Sequence, residues 1–293
     1  MKITEAFERG EFVVTAEVGP PKGFHIEHML DEAKTYLSGI TAVNVTDNQS
    51  SVMRLGSLAT CKALKDEGLT PILQLTCRDR NRIALESDLL SAALFGIENL
   101  LLLTGDHTTL GDHPQAKPVF DLDSVSLIHA VKQLESGVDL GGNELVGEPP
   151  KFAKGAVVSP CSDSLDAQLA KMERKVAAGC EYFQTQAVYE PEKFIQFMEK
   201  AKQFGKPVQL GIVIPKSVGM CRYMNANVAG IHIPEEMIDE LKADKEKTKA
   251  GITGVEIAAR IIRECKPYCQ GVHIMAMGWE SKVPSLLEQA GLK

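Results

Sequence analysis

Eight short apolar runs recur along the chain, at 12–18, 40–46, 71–76, 99–104, 154–158, 182–186, 208–214 and 271–276. Most are flanked by turn residues. Near-continuous apolar runs of this length suit parallel strands that are covered on both faces. Between them the apolar positions shift to spacings of three and four, the mark of amphipathic helices. Residues 85–97 keep that spacing and end near Gly96, and residues 165–179 stop at a glycine suited to a helix C-cap. In EPEKFIQFMEKAKQFGK, Pro191 sits near a helix start and Gly205 lies past its end. Eight strand–helix units predict an α/β fold, a closed (βα)8 TIM barrel with residues 1–293 as a single domain. An open doubly wound sheet fits less well, because no G-x-G-x-x-G opens a helix after the first strand. Residues 233–265, ahead of the last strand, add a segment that predicts two extra helices.

Composition narrows the function classes. A hydrophobic content of 44% supports a large core, and a net charge of −7 argues against a nucleic-acid or anionic-membrane surface. No run approaches the roughly 18 apolar residues of a membrane span, and the opening MKITEAFERGEF lacks a signal-peptide core. A cytoplasmic protein is expected. The seven cysteines are odd in number in a long chain, which favours reduced thiols over a disulfide framework. Cys265 and Cys269 form the one close pair, short of the four ligands of a structural zinc site. No metal site is expected.

The chemistry-bearing residues gather at strand ends. In a closed βα barrel, the C-terminal ends of the strands form the active-site mouth. Glu17 ends the first run and Asp106 follows the fourth, where buried strands want apolar residues. Desolvation favours the protonated form of a carboxyl, the form a general acid uses, which gives Glu17 one reading. A pairing with a nearby Arg or Lys is the other. Gly105 lets a ligand approach the backbone beside Asp106, which could instead be a turn or helix-capping aspartate. His107 and His113 read as loop histidines. Gln74 and Thr76 share a face of the third strand. Arg78, Arg80 and Arg82 follow, and at least one is expected to grip an anion rather than only neighbouring acids. Thr46, Asp47 and Asn48 close the second strand. Gln184 and Gln186 present carboxamides on the sixth, a group suited to pterin recognition. Lys171, Arg174 and Lys175 lie at helical spacing on the fifth helix. The long irregular stretch 105–123 reads as functional, and 137–155 as a connection into the fifth strand.

The stretches TAEVGPPKG, VNVTDN, LQLTCRDRNRIALESDLL, LLLLTGDH, GDHPQAKPVFDLDSV and ERKVAAGCEYFQTQ resemble methylenetetrahydrofolate reductase, in particular its short bacterial form, including that of acetogens. The resemblance spans about residues 1–290 and is most specific after the third strand. It implies a flavin-binding (βα)8 barrel that reduces 5,10-methylenetetrahydrofolate to 5-methyltetrahydrofolate by hydride transfer from reduced flavin N5. It implies Glu17 as the general acid that protonates N10, Asp106 beside the flavin pyrimidine and the pterin, and Gln186 on folate. It implies flavin contacts from Thr46, Gln74, Thr104, Gly105, Asp106, Phe120, Asp123, Ser159, Lys171, Arg174 and Lys175, the basic pair Arg174 and Lys175 at its phosphates. The resemblance implies FAD as the cofactor; Thr104, Gln74, Ser159 and Lys171 replace residues common among relatives, all around the flavin, which leaves FMN as the alternative. The last strand, HIMAMGWES, lacks an Asn-Arg pair that many relatives carry. The implied electron donor is NADH or NADPH, or a partner subunit carrying an iron–sulfur or zinc centre, and the protein is expected to be oligomeric. Two other readings stand beside this one: a flavin-free barrel enzyme acting on a phosphorylated substrate, and a non-catalytic folate-binding subunit of a larger redox complex.

Overall fold

A computed structural model describes residues 1–293. Eight parallel strands close into a barrel in sequence order: β1 (Val13–Val18), β2 (Ala42–Val45), β3 (Pro71–Thr76), β4 (Asn99–Leu103), β5 (Ala153–Val158), β6 (Tyr182–Ala187), β7 (Val208–Val213) and β8 (Gly271–Met275). Every strand lies within two residues of its predicted run at each end. β8 closes the ring on β1, with Thr15 opposite His273. No helix is long and apolar enough to cross a membrane.

Local chemistry sets the helix ends. The helix Arg82–Leu94 starts earlier than its apolar spacing suggests, because the Asn81 side chain accepts the Ala84 amide at 3.1 Å. The helix Leu165–Ala178 stops at Gly179, which takes the left-handed φ of 117°. The segment before β8 holds three helices instead of the predicted two: Glu235–Ala243, Lys245–Lys249 and Ile252–Cys265. Asp244 breaks the first run by capping the Lys247 amide at 3.0 Å, and Gly251, with φ 79°, breaks the second. All seven cysteines are free and buried. Burial pushes the Cys77 and Cys180 thiols up to about 12.

The barrel interior is layered. At the N-terminal end, the short helix Ile3–Glu8 packs Ile3 and Ala6 onto Val13, Ala42, Ile72, Leu101, Ala153 and Tyr182. The Ile3 amide donates to the Asn99 side chain at 2.7 Å, and the Tyr182 hydroxyl donates to the Leu100 carbonyl at 2.8 Å. This apolar plug seals the floor. Above it lies a polar layer of Thr15, Asn44, Gln184, Gln209 and His273, each at most 3% exposed. Buried polar groups are tolerable only when their hydrogen bonds are met, and here they are. Asn44 and Gln184 exchange amide bonds at 2.9 and 3.1 Å, and Gln184 donates to Gln209 at 3.1 Å. Gln209 donates to the Val272 carbonyl at 3.2 Å.

The floor depends on one missing side chain. A Cβ on Gly155 would fall 2.3 Å from the Tyr182 ring, and that ring is wedged in the plug. Overpacking of this kind costs about 1–3 kcal/mol. Gly155→Ala is therefore expected to lower the urea midpoint by a corresponding amount; a midpoint equal to that of the parent protein would contradict this packing.

Candidate functional site

A cavity of about 420 Å³ opens at the C-terminal ends of the strands, a size within the usual range of ligand pockets. Glu17 from β1, Gln74 and Thr76 from β3, Asp106 after β4, Ser159 after β5 and Gln186 from β6 all line it. The two acids singled out in the sequence thus face one space. Lys171 and Lys175 line it as well.

Glu17 pairs with neither Arg nor Lys. The Gln74 amide donates to its Oε1 at 3.0 Å, and His273 Nε2 lies 3.7 Å from the same oxygen. Its side chain is 11% exposed. Asp106 is exposed and caps no helix, since His107 caps the turn that follows. Its backbone is held in place: the Asp106 carbonyl accepts from Arg78 at 3.4 Å and from the Ser51 hydroxyl at 3.2 Å. Gly105 must be glycine, with φ 92° and a hypothetical Cβ only 3.0 Å from that of Thr76. Gln186 owes its placement to a β-bulge, because the β6–β7 register shifts between Gln184 and Ala187. Gly211 on β7 accommodates it: a Cβ there would meet the Thr185 carbonyl at 2.1 Å.

A second cavity of about 1030 Å³ shares Thr104 and Gly105 with the first and runs outward past Phe120, Asp123 and Arg174. Asp123 also caps the helix Ser124–Leu134 through a reciprocal bond with Ser126. Burial pushes its carboxyl up, but the Ser126 hydroxyl and amide and the nearby Arg174 outweigh that and leave it below the usual range. Lys175 donates to the Val157 carbonyl at 2.6 Å, and its burial lowers its proton affinity. The five non-glycine residues with left-handed φ, Asn48, Ser50, Ser51, Phe120 and Met277, lie in loops beyond β2, β4 and β8. Such strain collects where a site needs a fixed shape.

Several expectations change on contact with the structure. Arg78, Arg80 and Arg82 are all committed to acids: Arg78 to Asp79, Arg80 to Asp47 and Asp88, and Arg82 to Asp121. None is left to grip an anion, because the loops around them bring one or two carboxylates to each guanidinium. Thr46 lines neither cavity. It is 2% exposed, and its hydroxyl has no hydrogen-bond partner. Gln184 reaches the cavity floor, but its amide is consumed by the polar layer. His107 stacks on Phe120, with ring centroids 6.3 Å apart, and His113 pairs with Asp112. His273, Thr15, Asn44 and Gln209, which support the mouth from below, do not stand out in the sequence as candidates. Their signal is a polar residue inside an otherwise apolar strand: Thr15 in β1, Asn44 in β2, Gln209 in β7 and His273 in β8.

Fold and cavity define a (βα)8 barrel with an acid- and carboxamide-lined mouth. The chain belongs to the methylenetetrahydrofolate reductase family, whose pattern it matches over residues 2–291. The 5,10-methylenetetrahydrofolate reductase of Escherichia coli is 25% identical over 265 residues, covering 87% of this chain and 82% of that protein. Methylenetetrahydrofolate reductase 2 of Schizosaccharomyces pombe is 25% identical over 248 residues, and the match spans 80% of this chain but 38% of the yeast protein. Among solved structures, a Clostridium thermocellum protein described as binding two copies of 5-methyl-5,6,7,8-tetrahydrofolic acid aligns with a TM-score of 0.67 at 16% identity, over 98% of this chain and 96% of its own. A 2,3-dimethylmalate lyase aligns at 0.53 and 11% identity over 99% of this chain and 85% of its own. At these identities the structural likeness speaks to the barrel.

The Asp47–Arg80 pair braces the mouth from behind. Asp47 accepts from Arg80 at 2.7 and 3.1 Å and from the Thr76 amide and hydroxyl at 2.9 and 3.0 Å, with its side chain 1% exposed. Removing one partner of a buried pair costs about 3–5 kcal/mol. Asp47→Ala is expected to lose stability of that order in a denaturant titration, and a loss under about 1 kcal/mol would show the pair to be no more than a surface contact.

Proposed function

We propose that this chain reduces 5,10-methylenetetrahydrofolate to 5-methyltetrahydrofolate at the barrel mouth, with a bound flavin. One observation carries the reading: Glu17, Asp106 and Gln186, brought from three separate elements, face a single cavity. Membership of the family supports it.

The residues fit a flavin. The two cavities adjoin at Thr104 and Gly105 and together would form an elongated slot, with Lys171 and Lys175 on one part and Arg174 on the other. A flat ring would lie in the first part, and an anionic phosphate chain would run toward the second. Gly105 leaves the wall bare where a ring would pass. Gln74, Thr104, Ser159, Phe120 and Asp123 would complete the lining. FAD would use the whole slot, whereas FMN would use only its inner part. A reduced flavin bound there would supply the hydride.

The chain's own groups handle the proton and the pterin. Glu17, protonated, gives its proton to N10 as the C–N10 bond of the bridging methylene breaks and the N5 iminium forms. Gln74 donates to the carboxylate left behind. Gln186 offers the pterin edge a donor and an acceptor. Asp106 accepts from a pterin N–H. The apolar plug and polar layer beneath the mouth close the cavity from below, so the proton transfer is not short-circuited by water from the barrel floor. The electron donor, NADH, NADPH or a partner subunit, would approach from the open side.

The test bypasses the donor. The purified protein should release FAD or FMN on heating, identified by mass. Dithionite-reduced protein mixed with methylenetetrahydrofolate should be reoxidised in a single turnover. Glu17→Gln should keep the bound flavin and its reduction by dithionite yet slow reoxidation by folate about 10²–10⁴-fold. Reoxidation at the parent rate would refute the role of Glu17, and failure to bind either flavin when supplied in excess would refute the reading as a whole.

A further inference from the structure

We infer that His273 carries its proton on Nε2 and presents it to Glu17, as the donor that steadies the carboxylate once Glu17 has given up its proton. The inference rests on the folate-reductase reading of the mouth and adds a positioning residue to it.

The hydrogen-bond pattern around Thr15 decides the tautomer. His273 is 3% exposed, and its Nδ1 lies 3.0 Å from the Thr15 hydroxyl oxygen. Two side-chain amides also converge on that oxygen, Gln184 Nε2 at 3.3 Å and Gln209 Nε2 at 3.1 Å. Both ends facing Thr15 are donors. Gln209 Nε2 also points at the carbonyls of Val13 and Val272, at 3.4 and 3.2 Å, which fixes that end as the NH2 group. Gln209 Oε1 in turn faces Gln184 Nε2 at 3.1 Å, which fixes the amide of Gln184 the same way. An amide NH2 cannot accept a hydrogen bond. The Thr15 hydroxyl hydrogen therefore has one acceptor within reach, Nδ1 of His273. A proton on Nδ1 would leave that buried hydroxyl hydrogen facing only donors, a costly arrangement. So Nδ1 accepts, and the ring hydrogen sits on Nε2.

Nε2 points at the reacting acid. It lies 3.7 Å from Glu17 Oε1. That is beyond hydrogen-bond length, and Gln74 holds the same oxygen at 3.0 Å. Hydrogen bonds at active sites are often long before the substrate arrives and tighten with it. A small swing of the Glu17 carboxyl, with Gln74 as the pivot, closes the gap. The developing carboxylate then meets two donors, one from β3 and one from β8. Neither brings a formal charge, so the acid is not locked into its ionised form by a cation at its side.

Two measurements test this. The first does not depend on activity. In ¹⁵N-labelled protein, long-range proton–nitrogen correlation spectra report which imidazole nitrogen is protonated, and the signals missing from His273→Gln identify the residue among the seven histidines. The expected pattern is a neutral ring with the hydrogen on Nε2; a ring protonated on Nδ1, alone or together with Nε2, would overturn the inference. The second is single-turnover reoxidation of the dithionite-reduced protein by methylenetetrahydrofolate. His273→Leu removes the donor and should slow the step by roughly ten-fold or more, with folate affinity and flavin binding little changed. His273→Gln carries an acceptor for Thr15 and a donor for Glu17, and should recover most of the lost rate. Equal rates for His273→Leu and the parent protein, or equal losses for Leu and Gln, would sink the role of His273. If Glu17→Gln leaves the folate step untouched, the reading of the mouth fails instead; if it cripples that step while His273→Leu does not, only the His273 inference fails. Should His273→Leu not fold, the tautomer spectrum and the Gln variant still decide.

Discussion

One buried hydroxyl organises this barrel. The Thr15 oxygen takes two carboxamides and gives its hydrogen to an imidazole, joining β1, β6, β7 and β8 in one contact set. A polar layer inside a barrel is stabilising only when every member is satisfied, and a half-satisfied one is worse than an apolar core. That demand fixes the register. A slip of one residue would turn Thr15 and Glu17 outward together and bring apolar neighbours into the layer. Glu17 stands two residues above Thr15 on the same strand, so the network that fixes Thr15 also fixes where the acid emerges at the mouth.

Above that layer the loops are shaped by charge pairing and by glycine. Arg80 and Arg82 tie the loop after β3 to those after β2 and β4 through Asp47 and Asp121, and Arg78 reaches the Asn48 carbonyl at 3.2 Å. Arg78 also reaches the Asp106 carbonyl. The guanidinium groups thus position the site without contributing free charge to it. The free cations come from another element, the helix Leu165–Ala178, where Lys171 and Arg174 stay exposed along the slot. The inner chamber carries Glu17, Asp106, Lys171 and Lys175, and the adjoining outer channel carries Arg174. That arrangement suits an elongated ligand with an uncharged ring at one end and an anionic tail at the other.

Much of this could be read from the chain. The strands were legible because parallel strands buried on both faces leave continuous apolar runs, and because acids and amides stand out within them. Glu17, Asp106 and Gln186 converge because the C-terminal ends of all eight strands gather at one mouth. Of the acids that hold the three arginines, Asp79 and Asp88 are near in sequence and legible, but Asp47 and Asp121 were not, since they lie 33 and 39 residues from the groups they bind and loop geometry alone brings them together. Thr46 follows a strand end too, yet it is buried and lines neither cavity, a difference that spacing does not encode. His273 was visible only as one polar residue in an apolar strand; its meaning needed β8 to close on β1.

The proposed function places the pterin of a folate in the inner chamber, between the acid of β1 and the acid beyond β4. A crystal structure of the flavin-loaded protein soaked with 5-methyltetrahydrofolate measures that directly. N10 is expected within about 3 Å of the Glu17 carboxyl, with Gln186 and Asp106 on the pterin edge. A folate seated elsewhere on the molecule, or one whose N10 faces away from Glu17, would contradict it.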